Sequence, residues 1–137
     1  MRILITGSRD WSDRERVQDE IDRYLNEKIS RNFFPEIVIV HGDCPTGADH
    51  WASLYADSED FINEKHPADW ERYGKRAGFL RNAEMVEKNA DVCLAFIQQC
   101  GKTNCVAPKP HGSHGATMTL RMARNSGMPT RVFGINE

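Results

Sequence analysis

Apolar residues along this chain fall into two rhythms. Short unbroken runs alternate with longer stretches in which apolar positions return every three or four residues. The runs Ile3-Leu4-Ile5, Ile37-Val38-Ile39-Val40, Phe61-Ile62, Val92 through Ile97 and Arg131-Val132-Phe133 read as strands. The second and fourth lack an apolar–polar alternation, as expected of strands covered on both faces. Between the runs, Val17/Ile21/Leu25/Ile29, Ala48/Trp51/Ala52/Tyr55, Phe79/Ala83/Val86/Ala90 and Ala116/Leu120/Ala123 mark the buried faces of four helices. Ser12 with Glu15, and Thr46 with Asp49, read as capping signals. Gly127 followed by Pro129 ends the last helix.

Five strands separated by four helices imply one α/β domain over residues 1–137. The predicted architecture is a Rossmann-like, doubly wound parallel sheet with strand order 3-2-1-4-5. In such a sheet every strand ends at the same edge, and ligands bind there, where the strand order reverses.

The turns expected at that edge are rich in glycine and small hydroxyl residues. The first carries Gly7, Ser8, Arg9 and Asp10, and the second Gly42, Asp43, Thr46 and Gly47. The third carries Ser113, His114, Gly115 and Thr117. Glycine allows close backbone approach, and helix N-termini offer free N–H groups to anions. Any one of these turns is equally a plain tight turn; three at one edge form a phosphate-type pocket, with Arg9 as a bidentate donor. After the third strand, His66 to Gly78 mixes Asp69, Trp70 and Lys75 with further aromatics and cations. That mixture suits base stacking beside phosphate; it also suits a surface loop with Trp70 as a lid on the core. Arg81 and Asn82 follow, with Arg81 either at the ligand or paired with Glu84 three residues on.

Composition narrows the function classes. The 137 residues are 39% hydrophobic and 28% charged, with a formal net charge of -2. That balance disfavours a dedicated nucleic-acid-binding module, which is normally basic. No run approaches the ~20 apolar residues of a membrane span, and the first apolar run is too short for a secretory signal. A reducing, cytoplasmic setting is expected, with the four cysteines as thiols or metal ligands. All four have local readings. Cys93 packs in a strand, and Cys44 lies three residues from His41, as a nucleophile beside a base would or as an ordinary turn residue. Between the fourth strand and fourth helix, a long connector holds Cys100, Cys105, His111 and His114 in a C-x4-C-x5-H-x2-H arrangement. These are zinc-type donors, read as a structural zinc site or, alternatively, as loop thiols with pocket histidines.

Taken in order, these motifs resemble the YspA-like branch of the SLOG superfamily, to which the Lonely Guy phosphoribohydrolases and DprA also belong. The resemblance rests on Ile5-Thr6-Gly7-Ser8-Arg9, His41-Gly42-Asp43, Thr46-Gly47-Ala48-Asp49, His66-Pro67-Ala68-Asp69-Trp70, Gly74-Lys75, Arg81-Asn82 and the turn Gly112 to Gly115. It implies binding of a nucleotide or a nucleotide-derived small molecule. It also implies a candidate reaction, hydrolysis of a nucleotide N-glycosidic bond, with Arg81 in the catalytic position. The sequence departs from the Lonely Guy pattern at Thr119, which stands where those enzymes have glutamate. Asp49 or Glu84, with Asp10 and Asp43 as alternatives, would then have to supply the carboxylate that an oxocarbenium-like transition state needs. The departure favours an alternative, a non-catalytic sensor or sponge for a nucleotide signal. Single-strand nucleic-acid binding is a third reading. The resemblance also implies a homodimer, with Met85, Met118 and Met122 either at the contact or in the protomer's own core.

Overall fold

The computed structural model describes residues 1–30, 32, 35–101, 103, 105–106 and 112–134. Strands β1 (Arg2–Gly7), β2 (Val38–His41), β3 (Ile62–Lys65), β4 (Val92–Ile97) and β5 (Thr130–Gly134) form one sheet in the order β3-β2-β1-β4-β5. Every neighbouring pair is parallel, as the alternation of runs and stripes predicts. The order reverses between β1 and β4, so the crevice of a doubly wound sheet opens beside the ends of these two strands.

The continuous apolar runs are explained by the layers. Helices α1 (Arg14–Lys28) and α2 (Gly47–Ser58) cover the face to which Ile3, Ile5, Ile39, Leu94 and Phe96 contribute. Helices α4 (Ala77–Glu87) and α5 (His114–Asn125) cover the other. There Leu4, Val40 and Cys93 pack with Met85, Val86 and Ala123, and Ala95 and Ile97 pack with Ala116 and Leu120. Burial also pushes the Cys93 thiol up to about 12, which leaves it an inert packing group. A short helix α3 (Trp70–Tyr73) and a 3-10 turn (Gly74–Arg76) precede α4. No helix among the described residues is long and apolar enough to cross a membrane.

Several local expectations are corrected. Asp13, not Ser12, caps α1, because its carboxylate accepts from the Arg16 N–H. Ile29 lies beyond α1 in extended conformation. Thr46 occupies the N-cap of α2 but makes no side-chain cap bond, and Asp49 is drawn to the preceding loop instead. In α4 the buried positions are Ala77, Asn82, Met85 and Val86, while Phe79 is 51% exposed. Met85 is therefore a core residue and Met122 packs partly against the same cluster. The third strand lies one step later than its apolar pair, because edge strand β3 is polar along Asn63 and Glu64. Phe61 precedes it and packs against the core.

Candidate functional site

At the switch point, Ser8 joins three segments. Its N–H donates to Phe96 O at the end of β4 (2.9 Å). Its buried hydroxyl accepts from the Gln98 N–H (2.8 Å) and lies 2.6 Å from Ser113 Oγ. The Ser113 N–H returns to Gln98 O (2.9 Å). The amide of Gln98 reaches Asp10 Oδ1 at 3.0 Å. The first loop, the exit of β4 and the N-terminus of α5 are thus tied by a small polar network. Ser113 is the N-cap of α5 without capping it through its side chain, since its hydroxyl faces Ser8.

Glycines bring the neighbouring segments into contact. A Cβ on Gly7 would strike Ala48 Cβ and stand 2.7 Å from Phe96 O. Gly47 has φ +78°, and a Cβ there would lie 2.7 Å from Arg9 Cα and would also strike Ser8 O. The N-terminus of α2 therefore rests directly on the first loop. Gly42 makes room for a side chain: its Cβ would stand 2.6 Å from Arg81 Nη1.

Arg81 projects from α4 into that space. Its Nη1 donates to Gly42 O (2.5 Å) and His66 O (3.4 Å), and its Nε donates to Asn82 Oδ1 (2.7 Å). One guanidinium thus fastens the second loop and the exit of β3 to α4, while its Nη2 makes no hydrogen bond with the described residues. The sequence-level pairing of Arg81 with Glu84 is not formed. Glu84 instead lies 3.6 Å from His66 Nδ1. Burial lowers the Arg81 pKa, against the opposing charges of Asp49, Cys44 and Asp43. Asp49 is half-buried and accepts from the Gly42 N–H (3.1 Å). Desolvation raises its pKa above the usual aspartate value, although His41, Arg81 and the amides of Cys44 and Gly42 act the other way.

His41 is fully buried and structural. The Asp43 N–H donates to its Nδ1 (3.0 Å), which places the ring proton on Nε2, facing Asn63 Oδ1 at 2.6 Å. Asn63 in turn donates to Ser53 Oγ (2.8 Å) and Asp57 Oδ1 (3.2 Å). Both ring nitrogens are occupied, so His41 is not the base of a Cys44 dyad. Asp43 holds φ +56°, a left-handed conformation that aspartate tolerates.

The remaining site residues divide by placement. Arg9, Asp43 and Thr46 are exposed on the first and second loops, and His114 and Gly115 are exposed at the start of α5. Thr117 Oγ1 is buried without a hydrogen-bond partner among the described residues. Asn82 is buried and orients Arg81. Asp69 caps α3 through the Arg72 N–H (3.1 Å). Trp70 is 51% exposed, not a lid on the core, and Lys75 is exposed in the 3-10 turn. Thr119 is buried and its hydroxyl donates to Gly115 O (3.2 Å). An open acidic depression on α1, lined by Asp19, Asp22, Arg23, Asn26 and Glu27, is on a single helix and is separate from these groups.

Cys100, Cys105 and His114 come together in a group suited to a metal ion, while His111 lies outside the described residues. Sequence reasoning missed Gln98 and the carbonyl of His66, both of which hold the site together. Their signal was positional: each directly follows a strand at the ligand edge.

Fold and site together define a doubly wound α/β protein whose polar, glycine-bearing loops are tied together at the carboxyl edge of its sheet. The chain belongs to the YspA, cpYpsA-related SLOG family, whose model matches residues 1–73. Over 138 residues it is 40% identical to Gene 61 protein of Mycobacterium phage D29, covering 97% of this chain and 96% of that protein. No solved structure gives a significant match.

Proposed function

We propose that the protein binds a nucleotide or nucleotide-derived small molecule at the carboxyl edge of the sheet, between the first loop, the second loop and the N-terminus of α5. The observation that carries this reading is the setting of Arg81. Its guanidinium is anchored through Nε and Nη1, and Nη2 retains donors for an anion. The exposed Arg9 and the N-termini of α2 and α5 supply further positive character nearby in the fold. Membership of a SLOG family supports a nucleotide-related ligand. The setting we assign is cytoplasmic, with no nucleic-acid partner required.

The reaction assigned to this site is hydrolysis of a nucleotide N-glycosidic bond, with Arg81 holding the phosphate-bearing substrate and a carboxylate stabilising the oxocarbenium-like transition state. A specific observation favours the second reading, a sensor or sponge without turnover. Asp49 is committed to loop amides, Glu84 faces His66, and Thr119 has no carboxylate. Incubation with a panel of nucleoside 5′-monophosphates separates the readings. Free base released by the wild type and not by Asp49→Asn supports hydrolysis with Asp49 as the carboxylate. A thermal shift with the nucleotide recovered intact supports the sensor. No shift with any nucleotide or nucleotide derivative contradicts both.

A further inference from the structure

Two ends of the β4–α5 connector meet in a cluster of soft donors. Cys100 is buried three residues beyond β4, Cys105 is half-buried, and His114 is the first residue of α5. His114 Nε2 lies 3.5 Å from Cys100 Sγ and 3.4 Å from Cys105 Sγ, and all three donor atoms lie within 4.8 Å of one another.

The two nitrogen–sulfur separations match a coordination shell. With Zn–S of ~2.3 Å and Zn–N of ~2.05 Å, tetrahedral angles place S and N donors about 3.6 Å apart. Hydrogen bonding alone explains the arrangement less well. An imidazole Nε2 has one lone pair or one proton, so it makes one good hydrogen bond. Here two sulfurs stand at nearly equal distance from the same nitrogen. An ion shared by all three accounts for both contacts.

We propose that Cys100, Cys105 and His114 Nε2 form a structural zinc site. Two thiolates and an imidazole are a borderline-soft set that suits zinc better than magnesium or calcium, which take oxygen donors. The three donors occupy three of four tetrahedral positions. Binding deprotonates both thiols and releases two protons. The ion closes the connector at its base, because Cys100 follows β4 and His114 opens α5. Ser113, adjacent to His114, makes the contact with Ser8. The metal therefore holds the α5 N-terminus against the first loop. Its effect on ligand affinity rests on the ligand-binding reading above; the metal site itself does not.

The test uses reduced, full-length protein purified without chelators. Elemental analysis should find about one zinc per chain. After removal of zinc, titration with Co2+ alone should produce a thiolate-to-cobalt charge-transfer band and the intense visible bands of tetrahedral cobalt. Cys105→Ser and His114→Ala, checked for folding by circular dichroism, should each weaken Co2+ affinity by more than roughly 100-fold, since even losing a group that merely orients a ligand costs about 10–100-fold. Substoichiometric zinc together with a cobalt spectrum lacking charge transfer overturns the proposal, as does a Cys100–Cys105 disulfide in the purified protein. A metal-loaded protein whose chelation leaves nucleotide thermal shifts unchanged would sustain the metal site and reject only its coupling to the ligand pocket.

Discussion

Arg81 carries the central part of the account at the level of single residues. Arg81→Ala removes charge-assisted hydrogen bonds to Gly42 O and His66 O, worth about 1.5–3 kcal/mol where a charged group is involved. It should lower the melting temperature by several degrees while leaving the circular dichroism spectrum native, and it should weaken nucleotide binding by roughly tenfold or more. Unchanged affinity would reduce Arg81 to a loop fastener. Glycine substitutions separate binding from folding in the same region. Gly42→Ala presses on the end of a flexible side chain, which can shift while keeping hydrogen bonds to the loop, so it should weaken binding with less loss of stability than Gly47→Ala. Gly47→Ala forces a left-handed φ and strikes the backbone of Ser8 and Arg9, so it should destabilise by about 1–3 kcal/mol. Chemical denaturation of both variants checks the contrast; equal destabilisation would contradict it. The glycines were legible in the sequence, but their purpose was not. Gly7, Gly42 and Gly47 admit neighbouring protein groups, and such contacts between distant segments leave no mark in local sequence.

Elements show where periodic patterns succeed and where they fail. The apolar runs located the inner strands β1, β2 and β4 because parallel strands covered on both faces must be continuously apolar. Helix α4 misled because Phe79 fits an apolar stripe by type yet lies outside, while polar Asn82 turns inward to hold Arg81. Edge strand β3 misled for a related reason: its Glu64 serves an ion network. Arg2 makes paired bonds of 2.8 and 2.9 Å to Glu64, and His66 Nε2 lies 2.7 Å from the same carboxylate. The Arg2 bond, foremost, holds the Glu64 carboxyl down at about 2, below its ordinary 4.5. A depressed acid stabilises the fold above its ordinary value and loses that contribution as pH falls. Stability should therefore decline from about pH 4.5 toward pH 2. Glu64→Gln should flatten this decline and cost about 1–2 kcal/mol at neutral pH, the partly exposed setting reducing the usual value. Urea denaturation across that pH range measures it, and an unaltered acid limb in the variant would contradict the assignment.

At the scale of the whole molecule, topology places the loops after β1, β2 and β4 along one edge, and the strand order was readable from the alternation of elements. The cross-links between those loops were not, because Ser8, Gln98 and Ser113 are far apart in the chain. Assembly is the other question at this scale. The homodimer implied by family resemblance does not draw on Met85, which the core already uses. Trp70, Tyr73 and Phe79 are exposed apolar side chains on α3 and α4. Light scattering should give a mass twice that of the 15.6 kDa chain, and a mass at the chain value under micromolar conditions contradicts the dimer. The central claim is tested most directly by amide NMR spectra of the protein titrated with nucleoside 5′-monophosphates. The account predicts shifts concentrated at Ser8, Arg9, Gly42, Asp43, Gly47, Gly115 and Thr117. Spectra unchanged by any of them, or shifts centred on Asp19 to Glu27 of α1, would contradict a nucleotide site at the carboxyl edge of the sheet.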